Sequence, residues 1–94
     1  MIGYGDPDGW IDIGSNVHIH FTQDEAHGEY GLWECHADPN GQPCSGNVFF
    51  RGVLPTAEPS WIVEKREPLT LSPSIQCRAC GHHGFIREGR WVPA

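Results

Sequence analysis

Four cysteines in two pairs, Cys35/Cys44 and Cys77/Cys80, are the residues of this chain best suited to chemistry. The second pair reads Cys77-Arg78-Ala79-Cys80-Gly81. Two residues between thiolates let a chain fold back around a cation, and the following glycine permits the positive φ that turns backbone N–H groups toward sulfur. One such knuckle supplies two ligands, and a structural site needs four. Cys35 and Cys44 are the natural complement, with Ser45-Gly46 echoing a knuckle turn. Their spacing is wider than the usual gap of about two to four residues, but a hairpin loop can bring both thiolates to one end. The expected site is therefore Zn²⁺ held by Cys35, Cys44, Cys77 and Cys80. With four protein ligands it has no open position, so it is structural and not catalytic. Other readings of the same atoms stay open. His36, His82 or His83 could stand in for Cys44, thiolates alone do not distinguish zinc from iron, and the cysteines could be metal-free or disulfide-bonded.

Other constellations carry less. His18 and His20 sit two apart on the polar face of an alternating segment, a spacing that can chelate, yet no third ligand adjoins them in sequence. Together with His82 and His83 they define an alternative, a metalloenzyme built on a histidine cluster. His27-Gly28-Glu29 followed by Cys77-Arg78-Ala79-Cys80 approaches the signature of zinc nucleobase deaminases, but Gln76 replaces its proline and Gly28 opposes the helix it needs. No glycine-rich phosphate loop and no G-x-S-x-G elbow is present. In Thr70-Leu71-Ser72-Pro73-Ser74-Ile75, Leu71 and Ile75 are expected to pack inward while Ser72 and Ser74 hydrogen-bond the loop. A nucleophilic role for either serine lacks a base placed by sequence to activate it.

The elements that must position these residues are short. Of 94 residues, 12 are glycine and 8 proline, which leaves little room for helices and favours strands joined by turns. Residues 9–13 open the ordered part, and residues 16–21, 29–35, 47–52 and 60–65 read as strands. Thr22 to Gly28 reads as a polar loop or one helical turn, and 38–43 as a turn. Phe85-Ile86-Arg87 and Arg90-Trp91-Val92 flank Glu88-Gly89 in a hairpin. The expectation is one all-β domain over residues 1–94, a small zinc-stabilised sheet with ribbon-like knuckles, marginal on its core alone.

The net charge of −6 is uneven. Residues 1–50 carry eight acids and no lysine or arginine, whereas residues 51–94 carry six bases against four acids. The scattered arginines form no basic stripe, which argues against nucleic-acid binding. An array of the early acids on one surface would suit an acidic DNA mimic, and acidic surface also aids solubility. No stretch has the length of a membrane span, and Met1-Ile2-Gly3-Tyr4-Gly5-Asp6 lacks the pattern of a signal peptide. The expected location is a host cytoplasm or a virion, where paired cysteines bind metal more readily than they form disulfides.

Residues 68–92 carry a family pattern: Pro68-Leu69-Thr70-Leu71-Ser72-Pro73-Ser74-Ile75, then Cys77, then His83-Gly84-Phe85-Ile86-Arg87-Glu88-Gly89-Arg90-Trp91-Val92. The chain resembles a family of small uncharacterised zinc-knuckle domains, widespread in phages and some bacterial genomes. Such domains have an upstream C-P-x-C-G knuckle, a tryptophan segment, a P-T-L-S-P-S-I motif, a cysteine and an F-h-R-x-G-R hairpin. Trp33-Glu34-Cys35 to Cys44-Ser45-Gly46 stands where the first knuckle would be, and Trp61-Ile62-Val63 where the tryptophan segment would be. The wide Cys35/Cys44 spacing and the inserted Leu69 depart from the pattern. The resemblance implies a zinc-stabilised fold and a phage origin. Some members neighbour ubiquitin-like conjugation genes, which implies a protein-binding role.

Together these readings describe a phage-type zinc-binding structural or protein-interaction module, with a virion or host protein as its partner. Four tryptophans are many for this length; some serve the core and the remainder can anchor an interface.

Overall fold

The computed structural model describes residues 9–55 and 57–94. The turn expected at Asp6–Gly9 and the acids Asp6 and Asp8 lie outside it, apart from Gly9 itself. The fold is all-β, with no helix among the described residues.

Alternation of β-branched and polar residues builds the first sheet. β1 (Ile11–Gly14) turns into β2 (Val17–Asp24) through Ser15 and Asn16, whose φ values of 53° and 63° are those of a two-residue hairpin turn. β2 pairs antiparallel with β3 (Gly28–Ala37), and β3 with β4 (Pro43–Phe49), giving the order β1-β2-β3-β4. The polar Thr22–Gly28 segment is mostly strand rather than loop. β2 runs on to Asp24, and residues 25–27 make the turn, where Asp24 Oδ1 accepts the His27 N–H at 2.7 Å. β4 likewise starts earlier than its apolar run. Asp38 Oδ1 accepts N–H groups of Asn40 and Gln42, which closes the turn early enough for Pro43 to face Ala37.

The remaining strands are shorter. Trp61 bridges Phe50 in parallel and leads into β5 (Ile62–Lys65), which pairs with β6 (Thr70–Ser72). β7 (Ile75–Gln76), β8 (His83–Arg87) and β9 (Arg90–Pro93) form a three-stranded antiparallel sheet. The expected terminal hairpin turns at Glu88-Gly89, with φ values of 50° and 76°.

One apolar core joins the sheets. Val17, Ile19, Leu32 and Val48 from the first pack with Leu71, Ile75, Ile86 and Trp91 from the others. Leu71 and Ile75 point inward as their spacing implied. Trp61 and Trp91 serve this core, whereas Trp33 is 42% exposed.

Candidate functional site

Strand alternation decides which cysteines can meet. Consecutive residues of β3 face opposite sides of the sheet, so Glu34 and His36 share one face while Trp33 and Cys35 share the other. The Glu34/His36 face looks toward the knuckle. There His36, Cys44, Cys77 and Cys80 place their ligand atoms within 4.8 Å of one another. Cys35, expected as the first ligand, is not in this group. It is buried one residue away, opposite Ser45, and the residue next to it takes its place. A histidine ligand was anticipated, but in place of Cys44; the structure keeps Cys44 and substitutes for Cys35 instead.

The geometry suits a tetrahedral ion. Zinc–sulfur bonds of about 2.3 Å at tetrahedral angles set sulfurs about 3.8 Å apart and sulfur from nitrogen about 3.5 Å. Cys44 Sγ and Cys77 Sγ stand 3.6 Å apart, and His36 Nε2 and Cys80 Sγ 3.1 Å. None of the four cysteines is in a disulfide. Cys77 carries the mark of a knuckle. Burial, the largest influence, would raise its pKa, but backbone hydrogen bonds at Cys80 and Ala79 and the neighbouring thiols outweigh it and lower it. Burial, then contact with Cys77 and Cys80, pushes the Cys44 thiol up to about 12. Without a cation this thiol keeps its proton; a cation is what would ionise it.

Outer partners hold His36 in place. Its Nδ1 lies 2.6 Å from Glu34 Oε2, both side chains being buried, which leaves Nε2 facing the sulfurs. Burial pushes Glu34 up to about 7, against an opposing pull from His82. One hydrogen bond thus joins the carboxyl group and the ring. His82 stacks on His36 at 4.1 Å and on Trp91 at 4.9 Å, so ligand, histidine and tryptophan form one pile. Burial lowers the pKa of both His36 and His82, so both rings are neutral at pH 7.

The proposed cluster of His18, His20, His82 and His83 does not assemble among the described residues. The second potential metal group is Glu34, His36 and His82, which shares its members with the first centre and its surroundings. His20 bonds the Phe21 carbonyl through Nδ1 and packs on Trp10, on the far face. The deaminase-like pattern also dissolves: His27 is held by Asp24, and Glu29 by Arg66 at 2.6 and 2.9 Å.

A second constellation was missed by sequence reading. Ser74 Oγ lies 2.8 Å from His83 Nε2. The two are nine apart in sequence and flank the knuckle, because β7 and β8 close the hairpin around Cys77–Cys80. Gln76 pairs with His83, the Cys77 N–H donates to the His82 carbonyl at 2.7 Å, and the Gly81 N–H to the Cys77 carbonyl at 2.8 Å. Gly84, the next residue, is required by packing, since a Cβ there would stand 2.5 Å from the Trp91 ring. Trp61 Nε1 donates to the Ser74 carbonyl at 3.0 Å, fixing the backbone on the other side. Ser74 is half-buried and His83 exposed, so the pair opens to solvent. No carboxylate among the described residues hydrogen-bonds His83, so the arrangement is a dyad. Ser74 thus bonds His83 rather than its own loop as expected. The readable signal was a histidine two residues beyond the knuckle glycine, which hairpin closure returns toward the residues before Cys77.

Fold and site define a class: a small all-β domain with a Cys₃His cluster suited to a metal ion and a serine–histidine pair on the same hairpin. A family model described as "Bacterial ubiquitination-like system serine protease (BubE)" matches residues 16–94, and the chain belongs to that family. Comparison with curated proteins and with solved structures gives no match.

Proposed function

We propose that this chain is a serine hydrolase acting on peptide bonds within a bacterial ubiquitination-like system, with Ser74 as nucleophile, His83 as general base and a structural Zn²⁺ at His36, Cys44, Cys77 and Cys80. The observation that carries it is the 2.8 Å contact between Ser74 Oγ and His83 Nε2. A hydroxyl becomes nucleophilic when an adjacent base can take its proton. The family description supports the same chemistry. The phage origin implied by the resemblance is not needed for this reading.

Ser74 Oγ attacks the carbonyl carbon of the scissile bond as its proton passes to His83 Nε2. Collapse of the tetrahedral adduct breaks the C–N bond, and His83 returns the proton to the leaving amine. Water, deprotonated by the same ring, then adds to the acyl-serine ester; the C–Oγ bond breaks, His83 returns the proton to Ser74 Oγ, and the carboxylic acid product leaves. Zinc, when bound, cross-links the hairpin to the sheet; a set of four protein ligands leaves it no step in the reaction. The three sulfurs and one nitrogen favour zinc among hard and borderline ions.

The test is labelling of the zinc-loaded chain with a fluorophosphonate, followed by peptide mapping. Attachment at Ser74, abolished in Ser74→Ala and strongly slowed in His83→Ala, is expected. Absence of label at Ser74 in the intact chain would overturn the reading. It would favour the alternative of a non-catalytic interaction module, for which the exposed Trp33 and Ile62 are the specific observations.

A further inference from the structure

A groove of about 330 Å³ runs between β4 and the knuckle. One wall is the β4 edge at Ser45 to Val48; the other includes Ile75, the residue after Ser74, and Trp61, which binds the Ser74 carbonyl. Ser74 itself does not line the groove; Ile75 and Trp61 are its links to the serine.

The β4 edge is built to accept a strand. The Phe50 N–H donates to the Tyr30 carbonyl, so Phe50, Val48, Gly46 and Cys44 turn their peptide groups toward β3. Phe49, Asn47 and Ser45 turn theirs outward. The Phe49 carbonyl accepts the Trp61 N–H at 2.8 Å, and beyond it Asn47 and Ser45 meet no partner strand among the described residues. Both are exposed. An edge of this kind adds a peptide through main-chain hydrogen bonds, and neighbouring pockets read alternate side chains.

Gly46 keeps the groove open. It stands opposite Glu34 in the register, and a Cβ built on it would meet nothing within 4 Å. The floor behind it is Glu34; Trp61, Ile75, Pro59 and Val48 make the side walls apolar. Glu34 is tied to His36 and Arg78 lies on the rim, so the apolar walls suit an uncharged apolar side chain.

We propose that this groove is the peptide-binding cleft of the Ser74 site, taking an extended polypeptide that pairs with β4 at Ser45 and Asn47 and seats an apolar side chain against Trp61 and Ile75. The proposal rests on the hydrolase reading for its role but not for its geometry. Pairing places the bound backbone along β4 beside Trp61, whose indole bonds the Ser74 carbonyl. Selection then comes from one apolar residue near the scissile bond and from an unstructured stretch able to extend.

The test uses the ¹⁵N-labelled, zinc-loaded Ser74→Ala chain titrated with acetyl-Thr-Leu-Thr-Leu-Thr-amide. Saturable amide shifts centred on Ser45, Asn47 and the Trp61 indole are expected. The N-methylated peptide and the Thr-Lys-Thr-Lys-Thr counterpart are expected to bind at least about tenfold more weakly. Gly46→Leu, which fills the groove without backbone strain, should weaken the leucine peptide by at least about tenfold, with zinc content and amide dispersion as folding controls. Shifts centred elsewhere, equal binding of the lysine peptide, or an unaffected Gly46→Leu chain would each overturn the cleft. Fluorophosphonate labelling of the unmutated chain separates the two failures. Label at Ser74 without groove shifts sinks only the cleft, and groove shifts without label sink only the hydrolase.

Discussion

The four-stranded sheet and the knuckle hairpin are stabilised by different means. β2, β3 and β4 run for 8, 10 and 7 residues, their ladders broken by one register shift between Thr22 and Gln23, and Val17 and Leu32 are fully buried between them and the rest of the core. β7 has 2 residues and β8 has 5, yet the serine, the histidine and two of the clustered cysteines lie on or beside this hairpin. A ladder that short cannot hold two side chains in reactive geometry by backbone bonds alone. What ties it to the sheet is packing: His36 and Cys44 from β3 and β4 meet Cys77 and Cys80 in the cluster, His82 stacks on His36, and Trp91 stacks on His82. The Ser74–His83 pair thus sits on the shorter element and borrows rigidity from the longer one.

That contrast is breakable at several points. The largest effect should follow chelation of zinc or Cys77→Ser. A structural zinc contributes about 10–16 kcal/mol gross in small domains. Amide exchange protection is expected to collapse over residues 75–93 before the β2–β3 ladder, and Ser74 labelling with it; simultaneous loss everywhere would erase the distinction. The same centre should weaken in acid. With the Cys44 thiol near 12 before metal binding, zinc must displace its proton, so affinity falls as pH falls, by about tenfold per pH unit for each proton displaced. Zinc competition titrations from pH 8 to pH 6 would measure this slope, and a flat profile would oppose the thiolate assignment.

Next in size is the dyad itself. Ser74→Ala is expected to reduce peptide hydrolysis by at least about a thousandfold with zinc content unchanged, as loss of a nucleophile generally does. Trp61→Phe removes the indole donor to the Ser74 carbonyl together with part of a buried ring, at a stability cost of about 2–3 kcal/mol. A drop in kcat larger than the rise in KM would show that this bond positions the serine. The smallest change sharpens the ligand assignment. Cys35→Ala should retain one zinc per chain and cost about 1–2 kcal/mol of packing, whereas His36→Ala should lose the metal. The opposite result would restore Cys35 as a ligand.

Much of the fold was legible along the chain because its cues are local. The period-two run Val17, Ile19, Phe21 showed which face of β2 turns inward, and Glu88-Gly89 marked the last turn. Cys77-x-x-Cys80-Gly81 announced a knuckle, since its ligand geometry is written within five residues. Strand ends were less legible: Thr22–Asp24 is polar, and only pairing with Gly28–Gly31 makes it strand.

The sequence by itself determined that this chain would be all-β, with a knuckle and a hairpin, because turn chemistry and alternation act over neighbouring residues. It also supplied Cys44, Cys77 and Cys80. Tertiary structure alone decided between Cys35 and His36, because adjacent strand residues face opposite ways and the face that meets the knuckle depends on which side the second sheet packs. It alone brought Ser74 to His83, since their 2.8 Å contact depends on how β7 and β8 close around the knuckle.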